Sequence, residues 1–115
     1  MITEMVEIYD RLGKSEFDKL VILIKRICEL EWVFFILRKG GNNVGYPCYI
    51  LTNKLIIANH TEKKNIPLNF SEFETLCKCF IKDDETSFIE NINQIFENND
   101  YDFQCIGVKF LNEHN

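Results

Sequence analysis

Histidine is scarce in this chain: His60 and His114 are the only two in 115 residues, and neither stands beside a pair of cysteines. A zinc finger needs paired ligands at short spacing, so no structural metal of that kind is expected, and no cofactor is implied. Arginine is also scarce, at three residues, and the pI of about 5.0 is low. Direct binding of nucleic acid through Arg38, Lys39, Lys54, Lys63 and Lys64 is therefore not expected. Long apolar runs are missing too. The longest, residues 20–24 and 32–37, fall far short of a bilayer's thickness, so no membrane partner is expected. The opening MITEMVEIYDRLGKSE places Glu4, Glu7 and Asp10 where an export signal has basic and then apolar residues, which makes the cytosol the expected setting. Five cysteines then read as reduced, buried thiols.

What is present suits one domain over residues 1–115: 46% hydrophobic and 27% charged residues, with ten phenylalanines for a core. Ile2, Met5, Val6, Tyr9 and Leu12 repeat at helical spacing, and Gly13 suits a helix end. A second helix carries Phe17, Leu20, Val21, Ile24, Ile27 and Cys28, with Ser15 as its expected cap and Asp18 in its first turn. Residues 31–38, 46–51 and 54–58 are β-branched and aromatic, and predict a three-stranded meander. Ser71 and Glu74 read as a capping box before Phe73, Leu76, Cys77, Phe80 and Ile81. Asp83 and Asp84 precede a fourth helix through Phe88, Ile89, Ile92, Ile95 and Phe96, which stops at Asn98, Asn99 and Asp100. Residues 103–110 predict a last strand. The expected fold is a single two-layer α+β domain, with about four helices covering a four-stranded, mainly antiparallel sheet made of the meander and the C-terminal strand.

Several motifs invite chemistry. In "RKGGNNVGYPCYILTNK", residues 38–54, the glycines resemble a phosphate loop, but that needs a helix to follow, and here Tyr46 and Pro47 begin a strand. A hairpin connection is expected, with Gly40, Gly41 and Gly45 accepting positive φ. Cys77 and Cys79 are two apart on a helix and diverge by about 200°, so they cannot share one ion. Cys77 falls on the apolar stripe and Cys79 off it, which makes Cys79 the thiol expected to be exposed. Cys48 is the candidate nucleophile, with His60 as its base near the end of an adjacent strand. The alternative to catalysis is that Cys48 simply packs.

The net charge of −5 is unevenly spread. Residues 1–31, 32–71, 72–102 and 103–115 carry −2, +4, −7 and 0. Helix-start electrostatics would account for Asp83, Asp84 and Glu85. A functional account takes Glu72, Glu74, Asp83, Asp84, Glu85, Glu90, Glu97, Asp100 and Asp102 as one acidic surface, with Tyr101 or Tyr46 as exposed aromatic anchors. With no coherent catalytic set, the favoured class is a binding protein whose partner is itself a protein. Specifically, it would be a stoichiometric inhibitor of a basic, nuclease-type toxin or effector, of the kind bacterial immunity proteins provide. Richness in Asn, Lys and Ile fits an AT-rich source such as mobile bacterial or phage genes. The alternatives are a small enzyme using Cys48 with His60, and a regulatory or scaffold subunit that dimerises through a sheet edge.

Overall fold

A single residue separates the first two helices. Gly13 takes φ +87°, its N–H donates to the Tyr9 carbonyl, and its own carbonyl accepts from the Phe17 N–H. It ends α1 (Ile2–Leu12) and begins α2 (Lys14–Arg26) at once. Ser15 is therefore inside α2 and not its cap, because the Gly13 carbonyl has already started the ladder. The computed structural model describes residues 2–26, 33–41, 45–51, 54–59 and 64–110. Cys28, the loop residues 42–44 and His60 lie outside the described residues.

Next come β1 (Val33–Arg38), β2 (Tyr46–Leu51), β3 (Ile56–Asn59) and β4 (Lys64–Pro67), then α3 (Phe70–Ile81), α4 (Glu85–Asn98) and β5 (Gln104–Phe110). All pairings are antiparallel, and the strand order is β4-β3-β2-β1-β5. The chain is an α+β domain, with five strands where four are expected. The extra strand is β4, whose Lys64, Asn65 and Pro67 disfavour a strand and leave Ile66 alone to signal one. Pro67 sits at the end of this edge strand, where a missing N–H breaks no ladder. The glycine-rich stretch joins β1 to β2, so it is a hairpin connection. Gly40 takes φ +55°, but Gly45 serves differently: a Cβ there would come within 2.9 Å of the Ile36 side chain.

One face of the sheet carries Val33, Phe35, Leu37, Cys48, Ile50, Ile57 and Ile66, all buried in one cluster with Ile8, Leu20, Phe73, Leu76, Phe88 and Ile92 of the helices. Phe35 meets Phe88 edge-to-face at 6.1 Å, and Phe110 meets Phe80 and Phe88 at 5.2 and 5.4 Å. Arg11 ties α1 to this body by donating to the carbonyls of Leu68, Lys54 and Leu55 at 3.1, 3.2 and 3.2 Å. No helix among the described residues is long and apolar enough to cross a membrane.

β5 breaks its own alternation. Cys105 pairs with Leu37 and Gly107 with Ile36, so Ile106 is an extra residue, a β-bulge, and is 48% exposed. The bulge lets Cys105 and Val108, three apart, both pack on the core side. At that point Asn93 of α4 clips the strand: its Oδ1 accepts from the Cys105 N–H at 2.7 Å, and its Nδ2 donates to the Cys105 carbonyl at 3.2 Å. Asn93→Ala leaves both backbone groups without that partner, and we expect a loss of about 2 kcal/mol in urea unfolding. A loss below about 0.5 kcal/mol would show that water replaces the clip.

Candidate functional site

The acidic segment is a helical hairpin. Its start is fixed by a capping box two residues earlier than the sequence suggests: Asn69 Oδ1 accepts from the Glu72 N–H, and Glu72 Oε1 accepts from the Asn69 N–H, both at 2.8 Å. Ser71 is thus helical. α3 and α4 pack antiparallel, so the start of α3 lies beside the end of α4. Their fourteen-residue partner α4 spans about 20 Å, which separates the carboxylates into two ends. Asp83, Asp84 and Glu85 occupy one end. Glu72, Glu97 and Asp100 occupy the other, with Glu74 two residues further along α3; Asp102 follows on the way to β5, and Glu90 lies midway along α4. The structure does not gather the nine acids into one patch; it makes them a ridge.

Their roles differ. Asp84 caps α4 by accepting from the Ser87 N–H at 3.0 Å, and that bond holds its carboxyl below the usual value. Glu72 belongs to the capping box. Asp83 and Asp100 take φ +56° and +53°, the left-handed position after each helix. Around them Asp83 N–H donates to Phe80 and Asp84 N–H to Cys79; likewise Asp100 N–H donates to Glu97 and Tyr101 N–H to Phe96. Both helices end in the same Schellman arrangement, with aspartate where glycine is usual. Glu85, Glu90, Glu97 and Asp102 are exposed, and Glu74 is half-buried. Lys14 pairs with Asp18 on α2, away from the ridge, while at the ridge itself Lys82, the cap residue of α3 beside Asp83, helps draw the Asp84 carboxyl down.

Tyr101 is not an exposed anchor. It follows the left-handed Asp100, packs on Phe96 at 4.9 Å and stacks on Phe103 at 4.7 Å, and its hydroxyl accepts from Asn59 Nδ2 at 3.1 Å. It is the hydrophobic clasp that accompanies this helix ending. The side chain of Tyr46 lies outside what the structure describes.

The opposite layer has the opposite character. None of the five strands contains an aspartate or glutamate, whereas Arg38 and Lys109 lie on β1 and β5. The edges of this sheet are blunted, β4 by its brevity and Pro67, β5 by the Asn93 clip.

Cys48 is fully buried opposite Phe35 and Asn59, and burial pushes its thiol up to about 12. Cys77 and Cys105 are raised by burial to about 12 and about 11. Cys79, expected to be exposed, is buried, with Asn91 Nδ2 4.0 Å from its sulfur, because α3 is covered on more than one side. Among the described residues no group of three or more His, Cys, Asp or Glu side chains could hold a metal ion.

Three spaces lie on or near the ridge, one of about 410 Å³ lined by Arg11, Glu16, Asn69, Glu72 and Asn99. A cleft of about 630 Å³ between α1 and the β3–β4 edge includes Glu7, Arg11, Lys54 and Asn65, with the Arg11 guanidinium already committed to backbone carbonyls. A groove of about 180 Å³ between α3 and α4 is lined by Ser71, Glu72, Thr75, Asn91, Gln94, Ile95 and Asn98. Sequence reasoning passed over Asn91, Gln94 and Asn98, although their spacing of three and four puts them on one face of α4.

Two outcomes test this description. At about pH 8 a thiol of pKa about 12 is thiolate on the order of once in ten thousand, so iodoacetamide should label Cys48 and Cys77 no faster than the chain unfolds. Rapid native-state labelling of Cys48, read by mass spectrometry, would restore the nucleophile. Asp100→Gly relieves a left-handed side chain and removes a carboxylate from the negative end of α4, and is expected to stabilise the fold by about 1 kcal/mol. An unchanged urea midpoint would mean that Asp100 is relaxed there. No protein-family model, curated protein or solved structure matches this chain.

Proposed function

We propose that this is a small cytosolic binding protein that docks a basic protein partner on the outer surface of α3 and α4. The reading fits best with a stoichiometric inhibitor, an immunity protein that neutralises a nuclease-type toxin or effector in bacteria or their phages. One observation carries it. α4 has no basic residue in its last turn, yet Glu97 lies there and Asp100 and Asp102 follow. A helix's carboxyl end is its negative end, so acids there lower stability, unlike Glu72, Asp84 and Glu85 at helix starts. Charge placed against the fold's own electrostatics is accounted for by a cation that comes from outside. Complementary fields of this kind speed association and select the partner.

The rival enzyme reading draws no support from Cys48, whose thiol is buried and protonated. Dimerisation through a sheet edge draws none from edges that are short or clipped.

Glu90 and Glu97 are the residues to reverse, since both are exposed on one stripe of α4 and neither caps a helix. Glu90→Lys with Glu97→Lys should leave the unfolding free energy no lower than the parent's, with a gain of up to about 1 kcal/mol from a cation in the last turn of α4, and weaken retention of the partner at least about tenfold. The measurement is an affinity pull-down from the protein's own cells at low and high salt, followed by a one-to-one inhibition assay on what co-elutes. A retained basic protein whose activity is suppressed supports the proposal. Retention that ignores both the charge reversal and the salt removes its basis.

A further inference from the structure

We infer that the groove between α3 and α4 is a receptor for a guanidinium group, the side chain of an arginine on the partner, an inference that rests on the docking of a basic protein proposed above. Several of the groove's donors are spent within the protein and leave oxygens to face its space, while Asn98 Nδ2 and the Ser71 hydroxyl at its rim keep protons to give. Asn91 Nδ2 donates to the Ser87 carbonyl at 2.8 Å and approaches Cys79 Sγ at 4.0 Å. A carbonyl can only accept, so the Asn91 nitrogen must face it and Oδ1 is left over. Gln94 Nε2 donates to Asn98 Oδ1 at 3.1 Å, which leaves Gln94 Oε1. The Thr75 hydroxyl spends its one proton on the Ser71 carbonyl at 2.9 Å. Glu72 uses Oε1 on the Asn69 N–H and keeps Oε2.

Acceptors without a described partner therefore line both walls, Glu72 and Thr75 on α3, Asn91 and Gln94 on α4. The space between them is about 180 Å³ and lies where the end of α4 meets the start of α3, so its fixed negative charge is the Glu72 carboxylate. A guanidinium is planar, carries five donors in a fixed fork and sheds water more readily than an ammonium, so it can bond to both walls at once. A lysine ammonium is a compact point charge with three donors and satisfies one wall. The site therefore selects arginine.

The test needs no partner protein. The full chain, labelled with ¹⁵N, is titrated with argininamide and separately with lysinamide at matched ionic strength. The signals to follow are the side-chain amides of Asn91 and Gln94 and the backbone amide of Thr75. Argininamide is expected to give saturable shifts, lysinamide to bind roughly threefold or more weakly, and Glu72→Gln to weaken argininamide severalfold, since glutamine keeps the bond to the Asn69 N–H but not the charge. Absent shifts, or equal responses to the two amides, would overturn the inference. Silent argininamide alongside loss of partner retention in the Glu90 and Glu97 double variant would sink the groove and spare the docking surface. Saturable argininamide alongside salt-indifferent retention would do the reverse.

Discussion

β5 has two neighbours with different repeats, and the whole architecture depends on satisfying both. On one side β1 demands alternation; on the other α4 presents Asn93 at one height only. The bulge at Ile106 resolves the conflict by shifting the phase of the strand once, so that Cys105 meets Asn93 while Val108 and Phe110 still reach the core. With β5 fixed beside β1, and β4 fixed at the far edge, α3 and α4 have to cross the inward face of the sheet. That crossing turns them into an antiparallel hairpin with an outer surface. The acidic ridge and its groove exist because of where one strand inserts.

Much of this was legible locally. The 3.6-residue period located the four described helices, and the aromatic and β-branched runs located β1, β2, β3 and β5, with β3 beginning at Ile56 and not Lys54 because Leu55 takes φ +54° in the turn. Apart from Ser15, displaced as a cap by the nearby Gly13, what failed was settled by distant contacts. Asn69 with Glu72 and Ser71 with Glu74 are equally good capping boxes on paper. The tie is broken by the Leu68 N–H, which is bonded to the Leu55 carbonyl at 2.9 Å and holds the chain extended up to residue 68. β4 has one strand-forming residue and becomes a strand because β3 offers it a ladder. Cys79 looked exposed because a single apolar stripe was assumed for a helix that is covered on more than one side.

The candidate surface was half legible in the same sense. Nine acids could be counted, but not sorted. Their sorting depends on hydrogen bonds: Glu72 and Asp84 serve helix starts, Asp83 and Asp100 serve left-handed endings, and Tyr101 serves the clasp behind one of them. The groove was invisible because composition gives amides both donors and acceptors. Only the internal partners of Asn91, Gln94 and Thr75 reveal that these three side chains are left with oxygens to offer.

The two ends of the ridge are electrostatically distinct. They lie about 20 Å apart, roughly twice the screening length in 0.1 M salt, so each end acts on an approaching cation almost independently. At the Asp84 end the carboxylates face the positive start of α4, and part of their field is already answered. At the Glu97 and Asp100 end α4 adds to the negative field, and the positive start of α3 beside it is answered by Glu72 in the capping box. The groove opens at this end, where a partner's cation would meet Glu72 and the carboxylates that follow α4. The free chain carries the acids at the end of α4 as a cost to its own stability, and the proposed docking of a cation would relieve it. Under the proposed docking, tight binding and a stable monomer would pull Asp100 in opposite directions, since the carboxylate that a partner's cation would meet stands in a left-handed position where glycine costs the fold least.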